Sequence, residues 1–403
     1  MNLKQYMKFR SRGKDSQGNK VLELYKFRLS RLRNLRIKKS LLLAAAVVLL
    51  GVIIFLTVWL HVDQNYQVLS TVENEDTQSS DYAKLGDSFL KYGNEGVTLV
   101  SQAGTVLWSQ NYEMSNPDCV IRGETAVIYD RRGTSMYVVN RDGPLGSIAA
   151  KFPILKVDIS QRGSVGAILE DGERTWVNYY ASDGSTIVEN QTRMENTGYP
   201  LDLAVSPGGE VIGVSFLNIE EGNINSRVVF YNFGDQGQDK EDNIVSDFTY
   251  QDTLIPELFY LNQGTCVAFR DDGFSVFQGE AAPEETLSRE AESEIVSTFH
   301  DEEYFGIVIN GDSKEEPYIM KLYEDSGREK FSQGFETEYE SISLSGERII
   351  LFDEQQVQMY NLSGRLKFDG KVKEGAVKRL FQMAKNRYLL VSENGIETIK
   401  LKW

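Results

Sequence analysis

Catalysis needs groups that exchange protons, attack electrophiles or hold metals, and this chain supplies them unevenly. It has only two histidines, His61 and His300, too few and too far apart for a His-based triad or a His-rich metal site. There is no HExxH zinc motif, no GxSxG elbow and no phosphate-cradling P-loop. Ser88-Phe89-Leu90-Lys91 has SxxK spacing, but it alternates like a strand and lacks the companion motifs of such enzymes. Carboxylates are plentiful: 57 of the 59 Asp and Glu follow residue 40, so two of them meeting is no surprise. A glycosidase would need such a pair about 5–9 Å apart, which leaves no sequence signature. Asp301-Glu302-Glu303 lacks the spacing of a calcium loop. The expectation is a protein with no catalytic site, cofactor or metal of its own.

Composition sets further bounds. Hydrophobic content of 41% is that of an ordinary folded domain. The two cysteines, Cys119 and Cys266, sit inside apolar strand-like runs and read as buried free thiols, with a disulfide between them left open. The net charge of −16 conceals an asymmetry: residues 1–40 hold 13 Lys and Arg against Asp15 and Glu23, leaving −27 for residues 41–403. An excess of that sign makes nucleic acid an unsuitable partner.

The elements that position these groups begin with residues 41–60, twenty uncharged and predominantly apolar residues. At about 1.5 Å per residue such a helix matches the ~30 Å hydrocarbon core of a bilayer. Basic residues crowd its near side and acidic ones follow it, so the positive-inside bias puts the N-terminus in the cytoplasm and the larger part outside. The apolar run is too long for a cleaved signal, and no small-x-small site follows; a signal anchor is expected. Residues 1–40 read as a basic cytoplasmic tail. From Val21 its apolar residues recur at helical spacing, and Arg28, Arg31, Arg33, Arg36, Lys38 and Lys39 would lie on anionic lipid.

Past a polar stalk, residues 61–80, the chain repeats. Gly104, Gly143, Gly184, Gly234, Gly279, Gly327 and Gly364 recur at intervals of 39, 41, 50, 45, 48 and 37 residues. Alternating apolar residues precede most of them, and in several cases another alternating run follows, the pattern of a β-hairpin whose turn needs positive φ. A second hairpin precedes each, clearest in residues 201–214, 157–169 and 342–352. Two hairpins per repeat make four strands, the unit of a propeller blade.

Two stretches carry a resemblance. The turn Ser206-Pro207-Gly208-Gly209 resembles the inner-strand turn of WD40-type blades. Residues 97–108, Val-Thr-Leu-Val-Ser-Gln-Ala-Gly-Thr-Val-Leu-Trp, resemble the repeat of quinoprotein-like (PQQ-type) propellers. The chain departs from both patterns, with no Trp-Asp dipeptide at strand ends and one repeat alone carrying the tryptophan. The resemblance implies a fold and no activity; quinone chemistry is not implied, because its calcium ligands and base have no counterparts here. A basic tail, one span and an outer propeller are also similar to a membrane-anchored family of Gram-positive bacteria.

The expectation is therefore an all-β, eight-bladed propeller over residues 81–403, seven-bladed if one divergent repeat is discounted, preceded by one transmembrane helix. After Gly364 there are three strand candidates where four are needed, and the strand-like island 66–72 precedes the first blade. Pairing the island with the C-terminal strand would close the ring and remove two open edges. Loops between second and third strands share a face with the connections between blades. Two of them look long, residues 218–226 and 310–317, making Glu220, Glu221, Asn223, Asn225, Asp312, Lys314 and Glu315 the candidate partner residues. The acidic insertion 235–242 falls on the opposite face, and 281–294 reads as a loop or short helix. The functional expectation is a membrane-anchored, non-catalytic scaffold outside the cell that binds a protein or envelope polymer. The alternatives are transmembrane coupling through the basic tail and a carboxylate-based glycan-active or quinoprotein-like enzyme.

Overall fold

The computed structural model describes residues 39–72, 79–172, 174–192, 198–220, 222–373 and 375–402, without the side chains of 39–42, 58, 192 and 220. Two units result, residues 1–61 and 62–403.

In the first unit, Lys39–Leu60 is one α-helix of 22 residues. Among the described residues no helix is long and apolar enough to cross a membrane. Of the basic residues expected on a juxtamembrane helix, Arg28, Arg31, Arg33, Arg36 and Lys38 lie outside the described residues, and Lys39 opens this helix.

The second unit is an eight-bladed β-propeller made of eight four-stranded antiparallel sheets. Blades 1 to 7 occupy residues 80–111, 117–149, 154–192, 199–250, 257–290, 295–335 and 341–371, each with its strands in chain order from the centre outward. Blade 8 takes Val377–Ala384, Arg387–Ser392 and Gly395–Lys402 from the C-terminal end, and its outermost strand, Asn65–Val72, from before blade 1. Tyr66 pairs with Leu401 and Val72 with Ile396. The chain joins the ring even earlier: the backbone of Asp63 donates to Lys367 O and accepts from Asp369 N, both at 2.9 Å. The island 66–72 thus pairs with the C-terminal strand as expected, and Asp63 and Asn65, expected in the stalk, also join the ring.

Burial explains why the blades stay together. Alternating strands bury both sheet faces against the neighbouring blades, so the apolar core divides into eight clusters, one per blade interface. Leu203, Val214 and Phe216 of blade 4 pack with Ile168 and Tyr179 of blade 3, and Tyr82 and Phe89 of blade 1 pack with Leu389 and Val391 of blade 8. The repeated glycines serve these interfaces. Gly327 and Gly364 have φ of +74° and +77°, and a Cβ on them would lie 2.2 Å from Leu287 and 2.6 Å from Phe331 of the preceding blade. Each turn thus needs both a left-handed residue and the absence of a side chain.

Every outermost strand carries a one-residue β-bulge against its neighbour. The extra residues are Leu69, Leu107, Leu145 and Ile187 in blades 8, 1, 2 and 3. They are Val245, Thr286, Lys330 and Lys367 in blades 4 to 7.

Two expectations need correction. Residues 218–226 are not a loop: Val211–Glu220 and Asn223–Asn232 continue pairing to Glu220 opposite Asn223. Gly222, at φ +89°, supplies the left-handed residue of the tight turn. Residues 281–294 are neither loop nor helix throughout, because Glu284–Glu290 is the outer strand of blade 5, paired with Gly273–Gln278. An outer strand buries little, so its polar sequence concealed it.

Candidate functional site

Innermost strands wall a central channel, and the charged side chains there are engaged by neighbouring blades. Arg122 ends the inner strand of blade 2. Its Nε donates to Ile159 O of blade 3 at 3.0 Å and its Nη1 to Tyr260 O of blade 5 at 2.7 Å. Its Nη2 lies 3.5 Å from Asp158 Oδ2 in blade 3. One guanidinium therefore ties together three blades, and it is 7% exposed. Gly123 N, next along, donates to Glu302 Oε1 of blade 6.

The carboxylates follow a common pattern in which each grips the next blade. Asp158 Oδ2 accepts from Val205 N of blade 4 at 2.7 Å, and Asp202 Oδ2 from Leu258 N of blade 5 at 2.9 Å. Glu257 Oε2 accepts from Thr298 Oγ1 of blade 6 at 3.0 Å, and its Oε1 lies 3.4 Å from His300 Nε2. The His300 ring stacks on Phe259 at 3.8 Å. Burial pushes the Asp202 carboxyl up to about 6 despite Lys156 Nζ at 3.4 Å and the Leu258 N–H. Burial also acts to raise Glu257, but the hydrogen bond and charge of His300, with Thr298, hold it below its usual value. At the other side Gln382 joins three blades, its backbone O accepting from Lys84 Nζ of blade 1 at 2.7 Å and its side-chain Oε1 from Glu347 N of blade 7 at 2.8 Å. These groups are bound to structure.

Sequence reasoning passed over Arg122, Asp158 and Asp202. The available signal was a charge interrupting an apolar inner strand, as in Val157-Asp158-Ile159 and Leu201-Asp202-Leu203, since a buried charge must be paired. Cys119 and Cys266 are free; Cys266 is fully buried, Cys119 partly, and burial raises both thiols. Among the described residues no group of three or more His, Cys, Asp or Glu is placed to hold a metal ion.

The expected partner residues fall on two separate blades. Asn223 and Asn225 lie on the tip hairpin of blade 4, where Asn225 Oδ1 accepts from Asp252 N at 3.2 Å. Glu221 lies outside the described residues, as does the Glu220 side chain. Asp312, Lys314 and Glu315 are exposed in the loop of blade 6, so blade 5 intervenes and the two sets form no single site. The hairpin carries a feature not expected, the cross-strand pair Ile219 and Ile224, 62% and 48% exposed. On blade 1, a cavity of about 610 Å³ is lined by Ser80, Lys91, Tyr92, Asn94 and Glu95 among others.

Solved structures with the same architecture are remote in sequence. The computationally designed Ika8 protein matches with TM-score 0.55 and 12% identity, over 84% of this chain and 100% of its own. Sqt1 of Chaetomium thermophilum matches with TM-score 0.53 and 11% identity, over 83% and 98%. BamB from Moraxella catarrhalis gives 0.48 and 14%, over 84% and 100%. At these identities the likeness concerns the fold. No curated protein matches the chain. The DUF5711 family model, described as a family of unknown function, matches residues 60–401, from the end of the helix to the last paired residues of the ring, and the chain belongs to that family.

Proposed function

We propose that this protein is a membrane-anchored, extracytoplasmic β-propeller that acts as a non-catalytic scaffold for a protein or envelope polymer. The observation that carries the reading is the inner wall: Arg122, Asp158, Asp202 and Glu257 hold blades to one another, so the charged groups of the channel serve cohesion. Recognition then belongs to the outer surfaces of a rigid ring, where the blade 4 hairpin presents Ile219 and Ile224 beside polar residues. The anchoring part rests on the apolar run 41–60 and on the basic tail before it.

The test uses intact cells. A photoreactive residue at Asn223 should give a discrete adduct, identified by mass spectrometry, that is absent with the same residue at Asp247 on the outer strand of that blade. Asp158→Asn and Asp202→Asn should leave cellular function intact wherever the protein accumulates normally. Loss of function with normal accumulation would transfer the role to the channel and end the scaffold reading.

A further inference from the structure

A cleft of about 320 Å³ lies between blades 3 and 4, on the face where the turns from first to second and from third to fourth strands emerge. The Ile219–Ile224 hairpin joins second and third strands and so lies on the opposite face. The wall of the cleft is aromatic. Tyr179 of blade 3 and Phe233 of blade 4 stack with ring centres 5.6 Å apart and planes inclined by 25°, and Phe233 stays half-buried. Ile187, 49% exposed, extends the apolar lining. The Tyr179 hydroxyl is hydrogen-bonded to Ser164 Oγ at 2.7 Å and to Gly209 O, which fixes this wall across the blade interface.

The rim carries two opposite charges. Arg162 stands on the inner turn of blade 3, its backbone N held by Ser160 Oγ at 3.2 Å. Glu210 stands on the inner turn of blade 4, its backbone O accepting from Phe233 N at 2.8 Å. Both side chains line the cleft, both are exposed, and neither has a hydrogen-bond or ion-pair partner among the described residues. Both act on the Tyr179 phenol: burial raises its pKa most, Glu210 adds to the rise, and the Ser164 hydrogen bond and Arg162 oppose it. A plain anion here would meet Arg162 and be repelled by Glu210, and a plain cation would meet the reverse. A guanidinium only donates hydrogen bonds and a carboxylate only accepts them, whereas a hydroxyl does both. A ligand rich in hydroxyls therefore satisfies both rim groups at once, and Ser182 adds a further hydroxyl of the protein's own. The volume falls at the small end of ligand sites, which suits a short stretch of an oligomer and not a folded domain.

We propose that the cleft between blades 3 and 4 is a saccharide-binding site. Phe233 and Ile187 meet the C–H face of a sugar ring, while Arg162 donates to its hydroxyls and Glu210 accepts from them. The site is separate from the scaffold surface: it lies on the other face of the ring and is open whether or not the blade 4 hairpin is engaged.

The full chain, solubilised in detergent, tests this on an array of neutral and acidic oligosaccharides printed beside short peptides, followed by calorimetric titration with the sugar it retains. Binding of an oligosaccharide is expected. Arg162→Ala and Glu210→Gln should each weaken it about tenfold or more, while Asn223→Ala, on the other face, leaves it unchanged. Phe233→Ala should abolish it, but Phe233 also packs on Tyr179 and its loss can disturb the fold. The two charge variants are at exposed positions and carry the test at an unchanged thermal midpoint. Retention of no oligosaccharide overturns the proposal, and so does a sugar affinity that neither charge variant alters. Retention of the peptides alone also overturns it and makes the cleft a peptide site.

Discussion

Tyr66 and Leu401 face each other across the antiparallel ladder that joins the beginning of the propeller to its end. Tyr66 is 5% exposed, packs among Met359, Phe368, Tyr388 and Ile399, accepts a hydrogen bond from Lys373 N at 3.1 Å and lies under the Lys373 ammonium. Tyr66→Ala should cost about 3–5 kcal/mol, measured as a lowered denaturant midpoint with unchanged slope. Tyr66→Phe, losing only the hydroxyl, should cost about 1 kcal/mol. A neutral Tyr66→Ala would mean that this strand does not hold the ring closed.

Arg122 offers a second test. Arg122→Leu removes a guanidinium that satisfies two backbone carbonyls and faces Asp158, leaving those acceptors short of a partner in a buried place. The expected loss is about 3–5 kcal/mol, visible as a fall in thermal midpoint. Asp158→Asn in the Arg122→Leu background should restore part of it, since the uncompensated charge is then gone; the double-mutant cycle reads the coupling directly.

Asp202 gives a dependence on pH with a definite sign. Its folded pKa of about 6 lies above the unfolded value of about 3.9, so the folded state holds the proton more tightly. Its contribution to stability is full below about pH 4 and is lost as pH rises through about 6. Asp202→Asn stays neutral and keeps an oxygen for the Leu258 N–H. The stability of the variant relative to the natural protein should therefore increase between pH 4 and 7, by up to about 3 kcal/mol. Urea titrations at several pH values check it, and a difference independent of pH contradicts the raised pKa.

Glycine turns can be separated into those that need only a backbone angle and those that also need space. Gly172→Ala meets nothing within 4 Å and should cost about 1–2 kcal/mol, for its φ of +61° alone. Gly364→Ala adds contact with Phe331 at 2.6 Å to a φ of +77° and should cost about 2–4 kcal/mol. Equal losses in the two variants would show that the turn does not bear on the preceding blade.

The same comparison explains what was legible in the sequence. Gly104, Gly184, Gly327 and Gly364 recur visibly because each meets a stereochemical demand, with φ between +74° and +92°. Gly143 and Gly279 sit at +143° and +137°, and Gly234 has no positive φ, so the seven recurring glycines do not all occupy the same kind of turn. Four-stranded blades were readable because the strands at the middle of each blade are apolar runs buried on both faces. Glu284–Glu290 was not, since its side chains are mostly exposed and its strand state comes from pairing. The bond from Arg122 to Tyr260 joins residues 138 apart and follows from ring geometry alone. The bulges left no trace either, because a skipped rung is a property of two strands together.

The interleaving of chain ends in blade 8 also governs how the protein is made. Asn65–Val72 is synthesised more than 300 residues before its hydrogen-bonding neighbour Gly395–Lys402. Until Gly395–Lys402 has been made, the nascent wheel stands open with two bare flanks. Loss of Gly395–Lys402 would therefore leave the early strand without its mate, exposing the unfinished ring to proteases and to mispairing with neighbouring chains.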